Sequence, residues 1–249
     1  MTELFVDPTG VDALTRFVAH VLLVAACTGV SIYTVLNIRA RTVQSSMWRY
    51  LFLSGVVGVG YGLLAIVETV AAGGAIASNP VTVGAFRRVS QLFFIVFLAL
   101  AMRELYYESP HESDELLASL SPRTIRLLEA GFLTVIMIEF VVVILLGFVT
   151  VARVVQLAAS VAFTAYGVSF ALPIKSAAMT SRTVLDTMVT YVIAVMITAG
   201  AASAIEIGYV VGIPPAAVES TAVVLTVMTG TFLVALTIRL KQNVDGRRY

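Results

Sequence analysis

Of the 249 residues, 59% are hydrophobic and only 12% are charged, giving a mean hydropathy of +0.97. Soluble domains carry about 25% charged residues, so this composition suits lipid rather than water. A formal charge of +1 without clustered basic residues excludes a nucleic-acid surface, and a single cysteine, Cys27, excludes an intrachain disulfide or a thiolate metal site.

The segment from Met1 to Asp12 is acidic through Glu3, Asp7 and Asp12 and lacks the basic start of a signal peptide, so the first apolar run is expected to stay in the protein. A helix needs about 20 mostly apolar residues to cross roughly 30 Å of hydrocarbon with its backbone bonded internally. Seven runs meet this, near 14–38, 50–72, 88–106, 127–150, 154–174, 186–210 and 218–239. No polar stretch is left for a second core, so residues 1–249 read as one transmembrane domain, an all-α seven-helix bundle.

The first run carries His20. In the second, Ser54, Gly58 and Gly62 recur every four residues, a spacing that flattens one helix face, and Gly200, Ala204 and Gly208 repeat the device in the sixth. Such faces let backbones approach in lipid; contact within the bundle is expected, with a dimer interface as the alternative. Between the third and fourth runs, Glu112, Asp114 and Glu115 precede Leu116, Leu117 and Leu120, the pattern of a short amphipathic connector on the membrane surface. The break between the fourth and fifth runs rests on a tight turn at Thr150 to Arg153. Of the seven prolines only Pro173 falls within a run, in its last turn, so a transporter built on broken helices is disfavoured.

Loops on the cytoplasmic side collect Lys and Arg. Placing the loops after the first, third and fifth runs, with the tail, on that side gives it Arg39, Arg41, Arg49, Arg103, Arg123, Arg126, Lys175, Arg182, Arg239, Lys241, Arg247 and Arg248. The other side holds Arg16, Arg87, Arg88 and Arg153. A multi-pass cell-membrane protein with its N-terminus outside and its C-terminus in the cytoplasm is therefore expected. Merging the fourth and fifth runs would spoil the asymmetry, which favours seven spans over six.

Ionisable groups within a span cost at least ~2.5 kcal/mol on insertion scales and usually face the bundle interior. Glu139 is the deepest, in mid-run between Ile138 and Phe140. It is a candidate titrating group on an ion pathway or, more plainly, a hydrogen-bonding contact to a neighbouring helix. His20, Glu68, Arg88, Gln91, Glu206 and Glu219 all lie toward the outer ends of their runs. Antiparallel threading brings them to similar depth, where they can form an arginine–carboxylate vestibule for an ion, proton or small ligand; taken singly, Glu68, Arg88, Glu206 and Glu219 also fit span-end residues snorkelling to the interface. His20 alone makes no metal site. No H-E-x-x-H, G-x-S-x-G or phosphate-binding glycine loop occurs, so neither catalysis nor a metal is expected.

Seven spans, an outside N-terminus, short loops and Arg88 at the outer start of the third run resemble the microbial rhodopsins in architecture. In that family the arginine is followed three residues later by a carboxylate counter-ion, and a last-helix lysine binds retinal covalently. Here Gln91 takes the counter-ion place, and the last run passes through Met228, Thr229, Gly230 and Thr231 without a lysine. Lys175 and Lys241 lie at cytoplasmic ends, and Trp48 is the only tryptophan. The resemblance therefore implies a rhodopsin-like protein without covalent retinal, and no cofactor is expected. Arginine outnumbers lysine 14 to 2, a bias that resembles membrane proteins of salt-loving archaea and, with the topology, the proteins linked to opsin genes in haloarchaea. Arg103-Glu104-Leu105-Tyr106 resembles the acid–arginine signature of G-protein-coupled receptors only in reversed order, and that family is set aside.

The function expected is that of a non-enzymatic sensor, accessory or interaction partner. Its partners would be the bilayer and either a membrane or cytoplasmic protein or a second copy of the chain. The alternatives are an ion, proton or small-solute transporter or channel working through Glu139, and non-covalent binding of a carotenoid or lipid.

Overall fold

The computed structural model describes residues 13–39, 46–72, 80–108, 122–146, 149–181 and 184–246. The amphipathic connector expected at 112–120 lies outside the described residues. Within them the chain is all-helical: α1 (Ala13–Arg39), α2 (Ser46–Ala72), α3 (Pro80–Glu108), α4 (Pro122–Leu146), α5 (Val149–Ser181), α6 (Val184–Ala204), a 3₁₀ turn (Ile205–Tyr209) and α7 (Pro215–Asp245). Six of these helices are long and apolar enough to cross a membrane. The exception is α4, whose described apolar stretch is Glu129–Ile138. The seven runs read from the sequence each fall on one of the seven helices.

Proline sets several of the starts. Pro80, Pro122 and Pro215 are the first residues of α3, α4 and α7, a position where the missing N–H costs nothing and the fixed φ suits a helix. As a result α3 begins eight residues earlier than expected, and Arg87 and Arg88 lie two turns inside it rather than at its mouth. The turn expected at Thr150 to Arg153 is absent, because these residues belong to the first turns of α5. Pro173 lies inside α5, not in its last turn. It has no N–H to give the carbonyl four residues back, yet the helix continues to Ser181.

The helices thread up and down. At one end of the bundle Arg16 of α1 meets Glu219 of α7, and Arg87 of α3 meets Glu68 near the C-terminus of α2. At the other end Asn37 of α1 bonds the Leu240 carbonyl of α7 at 3.1 Å, and Asn243 donates to Asn37 at 2.7 Å. Around the bundle α1 packs on α2 and α7, α2 on α3, α3 on α5 and α6, α5 on α6, and α6 on α7. α3 is thus the central element, while α4 lies outside this ring against α3 and α5. On α4, Leu133, Val135, Met137, Ile138 and Val141 are exposed and Ile136 is buried. At its far end Arg103 pairs with both Glu104 and Glu129, and the Tyr166 hydroxyl of α5 donates to Glu129 at 2.6 Å. This knot fixes α4 to the bundle.

The core is apolar and tightly filled, with Leu23 and Cys27, Leu51, Phe94, Ile95 and Leu98, Phe163 and Phe170, Met196, and Leu233 and Leu236 all nearly inaccessible. Large apolar side chains are also exposed along most helices, among them Val18, Ile32, Leu63, Leu172 and Val224. Helices that are apolar all round suit a surrounding of lipid. Threonines hide their hydroxyls in it by donating to the carbonyl four residues back, as Thr28, Thr69 and Thr231 do.

The small residues singled out in α2 and α6 face neighbours within the bundle. Gly58 lies against Cys27 and Phe94, Gly62 against Val24, Gly200 against Thr164, and Gly208 against Val218. Ser54 is buried, with its hydroxyl on the Leu51 carbonyl at 2.8 Å, and Ala204 closes α6.

Candidate functional site

A cavity of about 460 Å³ opens at the end of the bundle where α1 begins. Helical spacing turns the polar residues of each wall to one side. On α1, Arg16 and His20 are four residues apart; on α2, Tyr61, Ala65 and Glu68 share a stripe; on α7, Glu219, Val223 and Thr226 do the same. α3 contributes the adjacent pair Arg87 and Arg88, and α5 contributes Arg153. After Ala204 the chain tightens into the 3₁₀ turn, whose three-residue repeat eclipses Glu206 and Tyr209 and sets both on the cavity wall. The reversal into α7 then uses Gly212 at φ +83°, a conformation that disfavours any side chain.

Glu206 is the hub. One carboxylate oxygen accepts from Arg87 Nη2 at 2.8 Å and the other from Arg88 Nε at 2.9 Å. Arg87 reaches onward to Glu68, with Nε 2.6 Å from Oε2. A second group forms across the cavity: Arg16 Nη1 donates to Glu219 Oε2 at 2.9 Å, and the Tyr209 hydroxyl donates to the other oxygen of Glu219. Arg153 lies over the Tyr209 ring, 4.5 Å from its centroid, a cation–π arrangement. His20 Nδ1 is 2.8 Å from the Arg16 carbonyl, which requires the proton on Nδ1 and leaves Nε2 for another partner. The His20 ring meets Tyr61 edge to face at 6.2 Å.

The floor is a buried polar lock. Gln156 Nε2 donates to Gln91 Oε1 at 3.2 Å and to Ser203 Oγ at 3.0 Å, and these residues are 0%, 2% and 1% exposed, so no water-filled opening passes between them. Gln156 Oε1 is buried without a hydrogen bond. Beneath lie Ile95 and Leu98 of α3, Phe163 of α5 and Val195 of α6, all buried.

Of the residues expected to form a vestibule, the structure brings together His20, Glu68, Arg88, Glu206 and Glu219 on the cavity wall. Gln91 lies in the floor instead, one turn below Arg88. Glu139 belongs to α4, which supplies none of the described lining, and its side chain lies outside the described residues. Among the described residues α4 flanks the ring and packs against α3 and α5.

Arg16, Arg87, Arg153, Tyr61, Tyr209 and Gln156 belong to the site although the sequence does not single them out for it; the first three stand out there as charges on the outer side, and Arg153 also as the end of an expected turn. Their spacing from predicted site residues was a usable signal, since Arg16 precedes His20 by one helical turn and Tyr209 follows Glu206 by three residues. No protein-family model matches the chain, nor does any curated protein or solved structure.

Proposed function

We propose that this is a seven-span membrane sensor or accessory protein, with its N-terminus outside, that binds a small solute in the vestibule and neither catalyses a reaction nor conducts ions. The observation that supports this best is the blind end of the cavity. Its wall ends at the buried lock of Gln91, Gln156 and Ser203, and in the buried layer below, among Ile95, Leu98, Phe163 and Val195, the hydroxyls of Ser160, Thr198 and Thr229 are taken up by helix carbonyls and by one another. A conducting path needs polar or hydrated groups through the bundle, whereas a pocket of a few hundred Å³ with a handful of convergent polar groups is the ordinary form of a ligand site.

α3 gives such a site a route to the opposite face. It carries Arg87 and Arg88 at the vestibule and Arg103 in the knot with Glu129, 15 to 16 residues along one helix, about 24 Å at 1.5 Å per residue. A ligand that shifts the arginines at one end therefore bears on the element that holds α4 at the other. The rhodopsin-like threading enters the proposal as architecture alone, since Lys241 follows Leu240 at the end of α7 away from the vestibule.

Two measurements test the reading. Proteoliposomes are expected to show proton and ion flux no greater than protein-free vesicles; steady flux that Glu206→Gln abolishes would refute a closed vestibule. In a Cys27→Ala background, Ala222→Cys on the cavity wall is expected to react with a membrane-impermeant maleimide added to intact cells. Labelling only in inside-out vesicles would reverse the proposed orientation.

A further inference from the structure

We infer that the vestibule takes a small organic acid, a single carboxylate on a compact apolar body, with Arg153 holding its charged end. This rests on the reading of the vestibule as a ligand site and adds the chemical class of the ligand.

Among the described residues the charges in the cavity wall do not balance: four guanidinium groups, Arg16, Arg87, Arg88 and Arg153, face three carboxylates, Glu68, Glu206 and Glu219. Every carboxylate is already engaged by an arginine: Glu219 by Arg16, Glu68 by Arg87, and Glu206 by Arg87 and Arg88. Arg153 is the remainder. Among the described residues it has no ion pair or hydrogen bond, its Nε is buried without an acceptor, and its one specific contact is the face of Tyr209. A ring face balances part of a cation's charge and accepts none of the five N–H groups in the conventional sense. That excess of one positive charge is completed by one negative charge. A cationic ligand would have to displace an arginine from a carboxylate that it already neutralises.

The site is also prepared for that charge. Tyr209, on which Arg153 rests, is tied by its hydroxyl to Glu219, itself bound to Arg16. The guanidinium therefore lies on a fixed platform, and little of its freedom remains to be lost on binding. The volume of about 460 Å³ far exceeds a halide ion and falls in the range of organic-ligand pockets. Ala65, Val83, Ala202, Val218 and Val223 supply apolar wall for the body of the ligand, and a planar carboxylate matches the guanidinium fork.

The test is a thermal-shift and calorimetric titration of the full-length detergent-solubilised protein, in low-salt buffer, with hexanoate and benzoate against hexan-1-ol, hexylamine and sodium chloride. Both acids are expected to bind and to raise the melting temperature, and hexanol to bind at least about tenfold more weakly, the factor that follows from losing a charge-assisted hydrogen bond. Arg153→Gln is expected to lose about the same factor for the acids, and Arg153→Lys to retain part of it.

Protection of Ala222→Cys from maleimide by hexanoate supplies a second readout with Arg153 in place, should Arg153→Gln fail to fold. Hexanol as effective as hexanoate, chloride alone giving the full shift, or neither acid binding at millimolar concentration would each overturn the organic-acid inference while leaving the vestibule itself intact. A reagent-inaccessible Ala222→Cys on either side of the membrane would instead remove the vestibule reading on which the inference stands.

Discussion

Replacing Glu206 by alanine is expected to lower the melting temperature of the purified protein by about 10 °C, using a cost of about 3 kcal/mol for a broken buried ion pair and about 2–4 °C per kcal/mol for a chain of this size. Glu206 is 7% exposed and is the one carboxylate among the described residues that holds two arginines, Arg87 and Arg88. Its removal leaves Arg88 without a carboxylate partner among the described residues and Arg87 with Glu68 alone. The cost is that of stranding cations rather than of losing attraction, and it stands at the lower end of the range because the arginines border a cavity that admits water.

Two further variants separate these contributions. Glu206→Gln, which keeps one acceptor oxygen, is expected to fall between wild type and alanine. The double variant Glu206→Ala/Arg88→Ala is expected to melt higher than the sum of its single changes requires, since deleting the stranded cation removes part of the cost. An alanine variant melting within about 2 °C of wild type, below the shift expected for 1 kcal/mol, would show that Glu206 is not the hub of the vestibule.

Gly167→Leu is expected to have a comparable effect by a different mechanism. A methyl group built on Gly167 of α5 would stand 2.6 Å from Met196 Sδ of α6 and 2.9 Å from both the Cα and the Cβ of Ala99 of α3. Overpacking a filled core costs about 1–3 kcal/mol where side chains can move aside. Met196 can yield, but the Ala99 backbone cannot without separating α3 from α5. The expected result is a loss of folded, monodisperse protein on extraction, or a melting temperature lowered by roughly 5–10 °C on the same scale. Gly60→Leu is the control, because beyond its chain neighbours and its own helix backbone nothing lies within 4 Å of the corresponding position on α2, and it is expected to melt like wild type. Equal behaviour of the two leucine variants would contradict the close approach of α3, α5 and α6.

The lipid-adapted character of the chain and the positions of its helices were legible in the sequence because both follow from local quantities, the apolar content and length of each run. Position along an apolar run also translates into depth at 1.5 Å per residue, which is why His20, Glu68, Arg88, Glu206 and Glu219 could be placed at a common level before any packing was known. Helix ends were less legible. Apolar counting begins α3 at Arg88, whereas Pro80 starts it two turns earlier; it also puts a turn at Thr150 to Arg153, where α5 is already under way.

Rotation about each helix axis was not legible, and the site depends on it. In water an apolar stripe marks the inner face of a helix, but in lipid both faces are apolar and the stripe disappears. Only the assembled bundle decides that α4 lies outside the ring and, among the described residues, that Glu206 rather than Glu68 or Glu219 holds two arginines and that Arg153 is left over on the face of Tyr209. The same holds for Gly167, a glycine in no repeat, whose importance comes from Ala99 and Met196, residues 68 positions before it and 29 after it in the chain. Sequence alone determined how deep each group lies; the tertiary structure decided which way it faces, because depth is a property of one helix and facing is a property of its neighbours.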